Sequence, residues 1–199
     1  MFKKNVLLVM ALSDENEGNR LGEFAEVLYT GVGKINATLK LTEALLQRDR
    51  EDLLVVNVGS AGSHRFSAGT VVCAHRFFER DMDASALGCL PGQTPFEEHV
   101  YLDVGLSMEN LPLATCFTGD SFVSQLTTEP LYELIDMEAY ALAKTCHYFN
   151  VPFVCIKYVT DGADGQAATD WRQSLVLATD QLVGTLRQSR IWLDHHKSG

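Results

Sequence analysis

FVCIKYVTDGAD, residues 153–164, opens as an apolar run of β-branched and aromatic side chains and closes on two carboxylates. Such a run reads as a strand buried on both faces, and in open α/β sheets strands of this kind deliver functional groups at their carboxyl ends. Two readings of Asp161 stand side by side. Asp-Gly is a turn dipeptide, and both Asp161-Gly162 and Asp164-Gly165 suit a turn with no chemistry. The other reading places Asp161 at a strand end to act on a ligand, and the rest of the chain has to decide between them.

Working outward, comparable apolar runs recur at residues 6–11, 26–30, 53–58, 70–74 and 113–117. Helical periodicity lies between several of them. Residues 34–47 place Ile35, Leu39 and Leu46 near one face, and residues 137–149 gather Ala139, Leu142, Ala143, Cys146 and Phe149. A last helix spans about residues 170–186, with Trp171, Leu175, Leu182 and Leu186 as its stripe. Strands alternating with helices predict an α/β layered domain. Residues 80–99 are rich in turn formers and form the longest stretch without a clear element, a place where loops are functional or disordered.

Composition narrows the classes. At 199 residues and 46% hydrophobic content, the chain is expected to be one domain, residues 1–199, with a substantial core. Its formal net charge of −10, with no cluster of lysines or arginines, argues against nucleic acid and anionic membrane surfaces as partners. The five cysteines (Cys73, Cys89, Cys116, Cys146, Cys155) have no metal-ligand or C-x-x-C spacing and read as small core residues in a reducing cytoplasm. No metal or cofactor is called for, and the six histidines receive no role. Two lysines before the first apolar run imitate a signal peptide. The short run, the missing cleavage site and the acidic segment that follows favour a first strand instead. No stretch approaches the roughly 18 apolar residues of a membrane span.

Four segments join glycine or carboxylate to a strand end. MALSDENEG (10–18) puts Ser13, Asp14 and Glu15 directly after the first strand, as a functional acid or as a solvated loop. YTGVGKINA (29–37) lacks the third glycine of a dinucleotide fingerprint and the ending of a P-loop, so Gly31 and Gly33 read as a tight strand-to-helix turn. In VVNVGSAGS (55–63) the Ser60 hydroxyl and its neighbouring N–H groups suit a polar ligand, or simply a packing turn. CFTGDSFV (116–123) and IDMEAYALA (135–143) offer Phe122 as core or as a stacking face, and Glu138 as a ligand or as ordinary first-turn electrostatics.

In their order, TGVGKINAT, NVGSAGS, RDMDASALGCLPGQTP, FTGDSFV, DMEAYALAKTCHYFNVPF and VTDGAD make the chain resemble the nucleoside phosphorylase and nucleosidase superfamily, most closely the 5′-methylthioadenosine/S-adenosylhomocysteine nucleosidases. The resemblance implies a three-layer α/β/α sandwich around a central mixed β-sheet. It also implies hydrolysis of the N-glycosidic bond of an adenosine-type nucleoside to adenine and a ribose product. Asp161 matches the general acid that protonates the purine's five-membered ring, and Glu15 the base that activates water. Glu138 matches the carboxylate holding the ribose hydroxyls, with Met137 under the sugar. Phe122 matches the stacking aromatic and the Val123 backbone the reader of the adenine edge. Ser60 matches the serine near the water, within the Ser60-Ala61-Gly62 stretch. Trp171 and Leu12 fall where the family lines its 5′-alkylthio pocket, plain core packing being the other reading. Leu87 and Pro95 match positions sent across a homodimer interface.

The chemistry supports this cast independently of the family. Departure of a purine leaves an oxocarbenium-like sugar and a poor anionic base, so an acid on the base and carboxylates near the sugar stabilise both developing charges. The same fold also supports phosphorolysis, which needs an anion site. Here the loop after the first strand is acidic, Asn57 is neutral, and Arg20 is the nearest cation in sequence, so water is the expected nucleophile over phosphate. A binding module without catalysis is the competing class. The chain departs from the family's pattern in short segments after Glu15 and after Pro95, in Leu87 and Cys89 where aromatics are common, in Asp136 for a glutamate and in Lys157 for an arginine.

Overall fold

The apolar runs become strands and the 3.6-period segments become helices. The computed structural model describes residues 5–123, 132–162 and 167–189, with the side chains of residues 167–173 and 176 outside that description. The strands are β1 (Val6–Met10), β2 (Glu26–Tyr29), β3 (Leu54–Gly62), β4 (Val71–Glu79), β5 (Tyr101–Asp103), β6 (Leu113–Thr118), β7 (Leu134–Asp136) and β8 (Phe153–Asp161). The helices are α1 (Lys34–Leu46), α2 (Ala139–Tyr148) and α3 (Ala167–Gln188). The six anticipated runs are β1, β2, β3, β4, β6 and β8. β5 and β7 were not anticipated, being three residues each and too short to show a period.

The strands form one mixed sheet. β2, β1, β3 and β8 run parallel, and β4 pairs antiparallel to β8 through Val71–Ala74. Further along, β4 takes β5 on that side and β6 on the other, and β6 pairs with β7. A single antiparallel pairing, Gly62 with Ile135, brings β7 back to β3. Strands β3, β8, β4, β6 and β7 therefore close into a ring, a feature the layered expectation did not contain. Its curvature has a local cause: register shifts at Ala74/Arg76 and Ala61/Gly62, where an extra residue bends a strand.

Alternation along the strands feeds two cores. Val55, Phe153, Cys155 and Val159 join Leu41, Leu45, Leu142 and Cys146 of α1 and α2 in one cluster. Leu54, Val56, Val58, Val154 and Ile156 join Leu182, Val183 and Leu186 of α3 in the other. β8 is buried along its whole length, as its composition predicted. The α1 face named from the sequence is the outer one. Ile35 is 72% exposed and Leu39 and Leu46 are exposed with it, while Ala37, Leu41, Ala44 and Leu45 face the core. Both stripes have helical spacing, and the alanines win the interior because small side chains let α1 lie close to its neighbours.

Residues 80–99 hold only a short 3-10 turn, Ser85–Leu87, as the turn-rich composition suggested. The short segment after Glu15 forms a 3-10 stretch, Glu17–Glu23, tied to α3 by the Arg20–Asp180 and Arg187–Glu23 ion pairs. Cys73, Cys116, Cys146 and Cys155 are buried, Cys89 is half-buried, and all five are free thiols. Among the described residues no helix is long and apolar enough to cross a membrane.

Candidate active site

The carboxyl ends of β1, β3, β7 and β8 open into a cavity of about 220 Å³. Leu12, Glu15, Ser60, Ala61, Gly62, Phe122, Val123, Met137, Glu138 and Asp161 all line it. Trp171 lies in α3, and its side chain falls outside the described residues; Asp164, read as a turn residue, falls outside them altogether.

Glu15 ends a 3-10 turn, Ser13–Glu15, that follows β1. It is buried, which rules out the solvated-loop reading for this carboxylate. Ser60 holds it: the backbone N–H donates to Oε1 at 3.0 Å and the hydroxyl donates to the same oxygen at 2.5 Å. Ser60 lies within β3 rather than in a turn after it, so a rigid strand positions the pair. From the other side the Thr179 hydroxyl of α3 donates to the Glu15 carbonyl at 3.1 Å and accepts the Glu17 N–H at 3.2 Å.

Asp161 is the last residue of β8 and is buried, so it belongs to the strand and not to a turn. The register pairs Val159 with Ala61 and Asp161 with Gly62, which leaves Thr160 as an extra residue. Consecutive strand residues normally point to opposite faces. The bulge re-aims them so that Thr160 and Asp161 both line the cavity, and the Thr160 hydroxyl donates to Asp161 Oδ2 at 2.7 Å.

Glu138 holds the N-cap position of α2, but its side chain makes no capping bond. Asp136 performs that task, accepting the Ala139 N–H at 2.8 Å and the Thr118 hydroxyl at 2.5 Å. The Glu138 carboxylate turns into the cavity, where its Oε1 accepts the Gly33 N–H at 2.9 Å. Gly33 has φ 94 and Gly31 φ 80, the left-handed region a glycine turn between β2 and α1 requires. Burial pushes the Glu138 carboxyl up to about 7, and the neighbouring Asp136 charge adds to that, against the pull of Lys157 and the Gly33 N–H.

Beneath these groups sits a charge pair that no motif announced as functional. Lys157, 2% exposed, reaches Asp136 at 2.9 Å. Burial disfavours the Lys157 ammonium, but the Asp136 charge outweighs it and the proton is held more firmly than in water. Burial also pushes Asp136 up, yet Lys157 and the Thr118 and Ala139 donors outweigh it and hold the carboxyl below its usual range. Two of the departures from the family's pattern, Asp136 and Lys157, thus face each other. The available signal was a lone cation inside an otherwise apolar strand.

Among the described residues Lys157 is the one cation lining the cavity, and Asp136 occupies it. Arg20 is engaged with Asp180 on the surface. Asn57 gives its amide N–H to the Val9 carbonyl and accepts from the Cys155 thiol. Phe122 is half exposed and, with Ser121 and Val123, forms one wall of the cavity. No group of metal-ligating side chains occurs among the described residues.

Comparison with known proteins gives one consistent result. The phosphorylase superfamily model matches residues 19–189. A 5′-methylthioadenosine/S-adenosylhomocysteine nucleosidase of Haemophilus influenzae (strain PittEE) is 32% identical over 185 residues, covering 83% of this chain and 80% of that one. One of Staphylococcus haemolyticus is 31% identical over 172 residues, covering 75% of each. The crystal structure of the Neisseria meningitidis nucleosidase in complex with methylthio-immucillin-A superposes with a TM-score of 0.78 at 23% identity, covering 92% of this chain and 97% of that one.

Proposed function

Because the chain belongs to the phosphorylase superfamily, we propose that it is a purine nucleosidase, hydrolysing the N-glycosidic bond of 5′-methylthioadenosine or S-adenosylhomocysteine to adenine and the ribose product. The observation that carries this reading is the convergence of Glu15, Glu138 and Asp161 on one cavity from three distant parts of the chain. In it, Asp161 delivers a proton to the five-membered ring of adenine as the bond to the anomeric carbon breaks. Glu15, held by Ser60, takes a proton from the water that attacks that carbon. Glu138 accepts from the ribose hydroxyls, Met137 packs under the sugar, Phe122 stacks on adenine and the Val123 backbone meets its edge.

The electrostatics support water over phosphate. Carboxylates outnumber the single paired lysine, so the cavity favours an oxocarbenium-like sugar and disfavours an anionic nucleophile. Such groups act most strongly where water is excluded, and Glu15, Glu138 and Asp161 are all buried.

The reading extends to architecture and assembly. We take the chain as one domain with α/β/α layers, α1 and α2 on one face and α3 on the other, working in the cytoplasm where its free thiols stay reduced. A homodimer with Leu87 and Pro95 at its interface is supported by exposed apolar side chains at Ile35, Leu39, Leu87, Leu90 and Phe96.

The test is adenine release from 5′-methylthioadenosine by purified protein with and without phosphate. Release without phosphate, with free 5-methylthioribose as co-product, is the expected outcome. Strict phosphate dependence would make the protein a phosphorylase, and binding without release would make it a nucleoside-binding module.

A further inference from the structure

The wall that carries Phe122 is not held by the cavity residues themselves. It is held from behind, by groups that do not line the cavity. The Lys34 ammonium donates to Asp81 Oδ1 at 2.6 Å and to Glu79 Oε1 at 2.8 Å. Asp81 Oδ2 accepts the Asp120 N–H at 2.8 Å, and Asp120 Oδ1 accepts the Lys34 N–H at 2.8 Å. Lys34, Asp81 and Asp120 therefore form a closed triangle in which each is bonded to the other two. Charge keeps it assembled: the bonds to Asp81 and Glu79 outweigh burial and raise the Lys34 ammonium, while Lys34 and the Asp120 N–H outweigh burial and lower the Asp81 carboxyl.

The triangle is joined to the site at two points. Gly33, one residue before Lys34, gives its N–H to Glu138 Oε1. Asp120 lies two residues before Phe122, and the intervening Ser121 carbonyl accepts from Arg80 Nη2 at 2.7 Å. The fit is close: a Cβ on Gly33 would lie 3.0 Å from Asp120 Oδ1, and one on Gly119 would lie 2.7 Å from Arg80 Nη2. Successive N–H groups of one turn thus reach the ribose-side carboxylate and the base-side loop.

We propose that Lys34, Asp81 and Asp120 are positioning residues that fix the Phe122 wall at a set distance from Glu138, so that base and ribose are gripped in register. The proposal rests on the nucleosidase reading. Two flexible side chains and a loop held only by Phe122 would pay ordering entropy on each binding event, and the triangle removes that cost in advance. The acid and the water-activating base lie outside it, so its loss falls on binding more than on chemistry.

Asp120→Ala, Asp120→Asn and Asp81→Asn separate a positioning role from a structural one, with KM, kcat and the affinity for free adenine as readouts. Asp120→Ala raises KM and the adenine dissociation constant by about 3–10-fold with kcat within about threefold, the scale of one ordinary hydrogen bond. Asp120→Asn recovers most of that loss, because the Lys34 N–H needs only an acceptor. Asp81→Asn behaves like Asp120→Ala, since both of its oxygens accept and an amide offers one acceptor. Unchanged KM and adenine affinity in Asp120→Ala, or an Asp120→Asn variant as poor as the alanine, overturns the proposal while leaving the nucleosidase reading intact. A wild-type protein that neither releases nor binds adenine overturns the reading, and the triangle's role in it.

Discussion

The cavity floor and the outer face of α1 break the usual distribution of side chains in opposite directions. The floor buries Glu15, Asp136, Glu138, Lys157 and Asp161, whereas the outer face leaves Ile35, Leu39 and Leu46 in solvent. Buried charge and exposed apolar surface are the two informative exceptions to hydrophobic burial. Buried charge is tolerated only when paired or hydrogen-bonded, and here nearly every contact serves a carboxylate. Exposed apolar surface stays in water in the chain alone, and covering it would be favourable. The first exception is what the proposed chemistry needs, and the second is what the proposed association needs.

That contrast breaks most readily at Asp161. Asp161→Asn keeps the shape and the Thr160 contact but removes the proton donor. Turnover falls by about 10²–10⁴-fold while adenine still binds, as judged by single-turnover release and calorimetry. Undiminished turnover would take Asp161 out of the acid's role and leave the floor as structural.

Next comes the ion pair. Lys157→Met strands Asp136 as a buried charge and lowers stability by about 3–5 kcal/mol in urea unfolding. Adding Asp136→Asn recovers part of the loss, since the amide still accepts the Ala139 N–H. A cost under about 1 kcal/mol would mean the pair is not desolvated in solution.

Glu138 sharpens the comparison through pH. Its carboxyl moves from 4.5 to about 7 on folding, so the folded state holds a proton that the unfolded chain has released between those values. The contribution to stability is therefore complete below about 4.5 and is lost as pH rises through about 7. Wild type should lose stability relative to Glu138→Gln across roughly pH 5 to 8. Parallel curves for the two proteins would place Glu138 in solvent-like surroundings.

The smallest effect belongs to the outer face. Leu39→Lys changes unfolding free energy by no more than about 0.5 kcal/mol, because the side chain is already exposed. If the proposed homodimer uses this face, sedimentation velocity should nevertheless show wild type as dimer and the variant as monomer. A variant that unfolds much more easily would show Leu39 packing within the chain, and one that remains fully dimeric would move the interface elsewhere.

Legibility in the sequence followed the range of the interaction. β8 could be read because a strand buried on both faces needs apolar side chains throughout, and α2 because the helical-period residues Ala139, Leu142, Ala143 and Cys146 are all buried. α1 was misread because two stripes compete on one helix and local pattern carries no information about which meets the sheet. The residues around the cavity were legible as short motifs, and the order of those motifs pointed to one family.

What no motif contained is how the groups act on each other. The pairing of Lys157 with Asp136 joins residues 21 positions apart through two different strands. The bulge at Thr160 is a property of β8 against β3, and it turns two neighbouring side chains into the same space. The closure of five strands runs through one β-pairing, Gly62 with Ile135, backed by hydrogen bonds joining Ser63 to Glu133 and His64 to Tyr132. Sequence by itself determined the longer elements and the family, and it nominated residues for the chemistry, because these depend on side-chain type and local period. The tertiary structure decided register, burial and charge pairing, because each is set by partners distant in the chain, and those three decide what a carboxylate can do.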